Sequence, residues 1–183
     1  MEGLLLERRG AVGLADIRQQ LLDVYAEIYA DRLSEDFHSV ERFDERLGWN
    51  TEVPGFSAVV GYLDDTPVGY AYGCTLQETT RWWNGFRTPV PDGATTETGA
   101  RTFALSELMI AGKLRGRGAA RQIHEALLRG RSEERVTLLV ERDHPKVRAL
   151  YESWGYEWFG EVVPFPDAPL YDALILRHGS ARG

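Results

Sequence analysis

The chain of 183 residues holds a single cysteine, Cys74. An intrachain disulfide is therefore excluded, and a reducing, cytoplasmic setting is expected. No segment approaches the roughly 18 consecutive apolar residues of a membrane-spanning helix. The opening MEGLLLERRG has charges on both sides of a very short apolar run, so no signal peptide is expected there. Positive charge is also scarce: 21 Lys and Arg stand against 28 Asp and Glu, a net charge of -7. That balance argues against nucleic acid, whose binding rests on neutralising phosphates with Lys and Arg. Repeats and low-complexity tracts are absent.

What is present is ordinary for a globular protein, with 43% hydrophobic and 27% charged residues. The length suits one domain, residues 1–183, with a sizeable core. Residues 3–9 read as a first strand. From Leu14 the apolar positions Ile17, Leu21, Val24, Tyr25 and Ile28 fall on one helical face, predicting a helix to about Leu33. Ser39 is placed to cap a second helix carrying Phe43 and Leu47, which Gly48 is expected to stop. Residues 56–63 and 68–75 flank the turn Asp64-Asp65-Thr66-Pro67 and predict an antiparallel hairpin. Residues 76–101 show no period. Their Trp82-Trp83 half is expected to pack on the body or over a ligand, and their Gly/Thr-rich half to be mobile. Residues 103–110 form a strand, residues 118–128 a helix with Ile123 and Leu127 inward, and residues 136–141 a buried central strand. Pro145 opens a helix that ends at Gly155, and residues 156–163 and 170–177 read as a closing hairpin. The sum is a mixed α/β domain of six or seven strands and about four helices.

One stretch organises the rest: TFALSELMIAGKLRGRGAARQIHEALLRGR, from Thr102 to Arg131. A strand, a glycine- and arginine-rich turn and a helix N-terminus follow one another, an arrangement that gathers backbone N–H groups on an anion. Lys113, Arg115, Arg117 and Arg121 make a basic island in an acidic chain, suited to a small polyanion. A Walker loop would need Lys-Ser/Thr after Gly118, where Ala119-Ala120 stand. A dinucleotide fingerprint would need a third glycine at Arg121.

What remains, Arg115-x-x-Gly118-x-Ala120 between strand and helix, resembles the Gln/Arg-x-x-Gly-x-Gly/Ala signature of the GNAT acetyltransferase superfamily. Downstream, LLVERDHPKVRALYESWGYEWFGE is similar to the family's next strand, its Leu-Tyr helix and its Gly-aromatic pair. Upstream, DDTPVGYAYG resembles its middle hairpin. The likeness spans residues 56–177, with its firm motifs in residues 105–161.

The resemblance implies the GNAT fold (α+β): a mostly antiparallel sheet with central strands splayed at the cofactor site. It implies acetyl-CoA as cofactor and direct acetyl transfer to an amine. By position, Leu108, Met109 and Ile110 would face pantetheine and thioester, and Arg115, Gly116, Arg117, Gly118, Ala119 and Ala120 would hold the pyrophosphate. His144 stands where the family often has a pantetheine-binding Asn. Tyr151 matches the tyrosine that protonates the departing thiolate, and Glu107 is the first candidate for the base. Glu27, Glu78, His38 and His124 are weaker candidates, since each sits readily on an exposed face. Aromatic and acidic residues in the variable parts, Tyr29, Trp82 and Trp83 among them, lean toward a cationic or aromatic small-molecule amine. A peptide or protein acceptor and a CoA-binding module without catalysis stay open as alternatives. No metal and no membrane partner is expected, and a homodimer is left open.

Overall fold

The computed structural model describes residues 3–177; the ends of the expected 1–183 domain lie outside them. Seven strands form one hydrogen-bonded sheet in the order β1-β2-β3-β4-β5-β7-β6. They are β1 (Leu5–Arg9), β2 (Ser57–Leu63), β3 (Thr66–Thr75), β4 (Thr102–Ile110), β5 (Arg135–Glu141), β6 (Glu157–Val162) and β7 (Tyr171–Arg177). Five α-helices accompany them: α1 (Ala11–Ala15), α2 (Arg18–Ile28), α3 (Val40–Glu52), α4 (Ala119–Leu128) and α5 (Pro145–Ser153). The β1–β2, β2–β3, β5–β7 and β6–β7 ladders are antiparallel, and β4–β5 is parallel. No helix among the described residues is long and apolar enough to cross a membrane. The chain divides into two compact units, Met1–Cys74 with Leu105–Arg131, and Thr75–Ala104 with Ser132–Gly183.

In the first unit the expected long helix is two. Gly13 weakens the first segment intrinsically, and the Ile17 N–H donates to Leu14 O at 3.1 Å, an i→i−3 bond where the ladder restarts. The second segment ends at Ile28 rather than Leu33. Ser39 caps α3 as its side chain predicts, accepting from the Arg42 N–H at 3.2 Å. Gly48 does not stop α3, which runs on to Glu52. There Arg18 packs against Gly48, its guanidinium bound to Asp44 Oδ1 at 2.6 Å and Asp44 O at 2.9 Å. The stop comes at Val53, which Pro54 holds in the extended region.

The β2–β3 hairpin turns through Asp64 and Asp65 with φ of 48° and 58°, as a tight two-residue connection requires. The core of this unit joins Leu21, Tyr25, Phe43 and Leu47 to Val60, Tyr70, Tyr72 and Met109, with the Tyr25 and Phe43 rings stacked at 4.0 Å. Ile123 and Leu127 of α4 are fully buried. Arg8 of β1 closes the C-terminal end of α4, donating to Ala126 O at 2.6 Å and Arg129 O at 3.1 Å.

In the second unit β7 lies between β5 and β6. The aperiodic segment after β3 closes the outer edge of β6, where unpaired backbone groups would otherwise remain. The Arg87 N–H donates to Glu161 O at 2.7 Å, the Val163 N–H to Gly85 O at 3.0 Å, and the Glu161 N–H to Thr88 Oγ1 at 2.9 Å. Gly85 is required at this approach: its φ is 84°, and a Cβ there would stand 2.1 Å from Val163 O. The Trp82-Trp83 half packs as expected, in a cluster with Leu76, Ala104, Ile175, Phe86 and Phe159.

The Gly/Thr-rich half departs from the expectation of mobility. Its Glu97 has a side chain with no exposed surface, ion-paired to Arg135 at 3.0 Å. The same Oε1 accepts from Trp83 Nε1 at 2.9 Å and Thr102 Oγ1 at 2.8 Å, while Arg135 also donates to Ala94 O at 2.7 Å. A glycine- and threonine-rich composition carries no sign of one buried carboxylate that anchors the whole segment.

Candidate active site

In the first unit the site is built on the end of β4 and the turn that follows. β4 pairs with β5 through Thr102↔Arg135, Phe103↔Val136 and Ala104↔Thr137, and residues 105–110 continue beyond those pairs. Among these, Met109 is buried while Leu108 and Ile110 are half-buried. The Ala111 N–H donates to Val68 O at 2.9 Å and ties the strand's end to β3. A 3₁₀ turn, Gly112–Leu114, leads into the basic loop. Leu114 and Ala119 are buried together with Val68 and Ala111. The loop is thus pinned at both ends, and Arg115, Gly116, Arg117 and Gly118 between them are exposed.

Gly116 and Gly118 have φ of 73° and 80°, and a Cβ at either would meet no atom within 4 Å. Gly118 is the left-handed N-cap of α4, and no side chain caps the helix. The first-turn N–H groups of Ala119, Ala120 and Arg121 therefore have no intrahelical acceptor. The Arg115 and Arg117 N–H groups bond within the turn, to Gly112 O at 3.2 Å and Leu114 O at 3.3 Å. Lys113, Arg115 and Arg117 make no ion pair among the described residues; Arg121 pairs with Glu125 at 2.8 Å. An uncapped helix N-terminus, an open glycine turn and three cations without an ion pair among the described residues are chemically suited to a phosphorylated group.

Glu107 lies on the same strand and is half-buried. Its negative charge, after burial itself, is the largest influence raising the pKa of the Tyr70 and Tyr72 phenols. The β3 alternation Tyr70-x-Tyr72 held this signal, but register with β4 is not readable from one strand. Ser106 and Asn50 carried no sequence signal: Ser106 Oγ donates to Asn50 Oδ1 at 2.6 Å, and Asn50 Nδ2 to Arg46 O at 2.8 Å. Tyr29 is half-buried, its ring 4.7 Å from Tyr25 and 4.9 Å from His38.

Two of the weaker base candidates are not exposed. His38 and His124 are 2% and 4% exposed, each carried inward by the apolar residues around it. Burial lowers the His124 pKa to about 4, so it is neutral at pH 7. Glu27 and Glu78 are exposed, as expected.

In the second unit Tyr151 is buried on α5, with Trp154 and Tyr156 edge-on to its ring at 5.3 and 5.5 Å. His144 precedes Pro145 as the N-cap of α5. Its N–H donates to Glu141 O at 2.9 Å, and its own carbonyl accepts from Arg148 at 3.1 Å. Trp83 is buried with its N–H on Glu97. Trp82 is half-buried, and its indole N–H has no hydrogen-bond partner among the described residues.

Comparison with known proteins identifies the fold. An acetyltransferase of Thermus thermophilus is 18% identical and aligns over 95% of this chain and 96% of its own, with a TM-score of 0.64. The PaiA N-acetyltransferase of Thermoplasma acidophilum, solved in complex with coenzyme A, is 10% identical over 96% and 99% of the two chains, with a TM-score of 0.60. An aminoglycoside 6'-acetyltransferase type Ii is 14% identical over 94% and 96%, with a TM-score of 0.64. At these identities the likeness is one of fold. None of the curated proteins matches the sequence. The model of the acetyltransferase (GNAT) family matches residues 19–156, and the chain belongs to that family, whose cofactor is acetyl-CoA.

Proposed function

We propose that this protein is an N-acetyltransferase that moves the acetyl group of acetyl-CoA to a primary amine of a small molecule. The observation that carries the reading is the uncapped N-terminus of α4 behind the left-handed Gly118, in a chain of this family. The loop fits the cofactor's phosphate end. A side chain at Gly116 or Gly118 would fill the space that backbone donors leave open to an anion. Gly116, Gly118, Ala119 and Ala120 would hold the pyrophosphate with their backbone, and Arg115 and Arg117 with their side chains. The remaining phosphate falls to Lys113 or Arg121. Leu108, Met109 and Ile110 would present backbone groups to the pantetheine arm and acyl carbonyl, where an N–H donor stabilises developing negative charge by a few kcal/mol. His144 would donate a hydrogen bond in the role of the family's Asn.

Acetyl-CoA, when bound, supplies an activated acyl group and a thiolate leaving group. The chain's own residues then have two protons to manage. A lysine-like amine with a pKa of about 10.4 is neutral in roughly one molecule in a few thousand at pH 7. Glu107, half-buried among tyrosines, is the group to take that proton, directly or through water. Tyr151 is the group to return one to the thiolate. For the acceptor, the first unit offers Glu107 and Tyr29, and the second offers Trp82, with Trp83 fixing the segment that carries it. Carboxylates beside aromatic faces favour a cationic amine, and aminoglycoside acetyltransferases share the fold. A cytoplasmic location accords with the single thiol.

The test is to give purified protein acetyl-CoA with a panel of small amines and peptides, and to follow free thiol. Acceleration by small amines supports the proposal. Acceleration by peptides alone would make it a peptide acetyltransferase, and thiol release that no amine accelerates would leave a CoA-binding module.

A further inference from the structure

The turn between β5 and α5 carries a feature beyond the hydrogen bond proposed for His144. Glu141 ends β5, Asp143 follows two residues later, and His144 caps α5. One ligand atom from each, two carboxylate oxygens and an imidazole nitrogen, lies within 4.8 Å of the other two. His144 Nε2 stands 3.7 Å from Asp143 Oδ1. Ligands bound about 2.0–2.2 Å from a tetrahedral ion lie roughly 3.4 Å from one another. The His–Asp edge is therefore a few tenths of an ångström from binding distance, and the Asp143 and His144 side chains, 74% and 42% exposed, are able to close it by rotation. Glu141 is only 6% exposed, which gives the group one rigid corner.

The donor set discriminates among ions. Calcium and magnesium take six or more oxygens, whereas one imidazole with two carboxylates suits a borderline divalent transition ion and leaves a fourth position for water.

The geometry points to a divalent transition-metal site, of the zinc type, formed by Glu141, Asp143 and His144. Bound there, the ion would cross-link the end of β5 to the first turn of α5.

The test uses the full chain without a histidine tag, stripped of metal. Zinc chloride is titrated by calorimetry, and cobalt chloride by visible absorption, whose band intensity reports a low-coordinate imidazole–carboxylate site. The expected result is one ion per chain with micromolar affinity, a raised melting temperature with zinc, and a loss of affinity of tenfold or more in His144→Ala. Asp143→Asn, at a position 74% exposed, should show a similar loss. Absence of zinc binding at millimolar concentration overturns the site. So does binding that survives unchanged in both Asp143→Asn and a folded His144→Ala.

Discussion

Arg135 and Glu97 form a closed ion pair inside the second unit: 3.0 Å apart, with side chains 3% and 0% exposed. Burial pulls the Arg135 pKa down, and the hydrogen bond it donates to Glu97 opposes that. The Trp83 ring lies against the same guanidinium, 5.3 Å from centroid to carbon. Removing the carboxylate would leave a buried cation unpaired. Glu97→Ala is expected to destabilise the protein by about 3–5 kcal/mol, measured by urea denaturation. The double variant Glu97→Met/Arg135→Met should lose less, because apolar packing replaces both charges. Equal losses would mean that the pair is not what holds the segment.

Gly118 is the position where the proposed cofactor role and folding are separable. Nothing crowds a Cβ there, so Gly118→Val pays only for its left-handed backbone, about 1–2 kcal/mol. Acetyl-CoA affinity, read by calorimetry, should fall by about 100-fold or more, because a branched side chain enters the space the phosphates need. Wild-type affinity in a folded Gly118→Val would overturn the loop assignment.

Tyr151 is buried against Trp154 and Tyr156, and a phenylalanine keeps both ring contacts. Tyr151→Phe is therefore expected to fold normally and to bind acetyl-CoA nearly as well as the native protein. Its kcat should drop by roughly 100-fold, the lower end of what a positioned proton donor contributes. Unchanged turnover would remove the tyrosine from the chemistry.

His124 predicts a pH dependence of stability. Its pKa is lowered by burial from 6.5 to about 4, so between those values the unfolded chain binds the proton more tightly. The folded state therefore loses stability as the pH falls through that window, by about 3 kcal/mol when both limits are spanned. Denaturant midpoints at pH 7 and pH 4.5 compare the two regimes. The difference should shrink in His124→Met, which cannot protonate, and an identical pH dependence in the variant would exclude this origin.

Much of this was legible along the chain because its signals are local. The Ser39 cap, the Asp64-Asp65 turn, Pro145 at the head of α5 and the inward face of Ile123 and Leu127 each depend on neighbours within a few residues. So does the run from strand to glycine turn to helix, and with it the family. Backbone sterics and helical period act at that range, and composition is enough to reveal them.

The tertiary structure decided what depends on distant partners. Gly48 reads as a helix stop but is spanned, because Arg18 packs there and binds Asp44. His38 and His124 read as surface residues but are buried, because the apolar positions beside them set the depth of the backbone. Residues 93–100 read as loose, yet Glu97 meets Arg135 across 38 positions of sequence, and the segment before them covers the edge of β6. Charge pairing and burial are properties of contact, and a single sequence carries no record of which residues will touch.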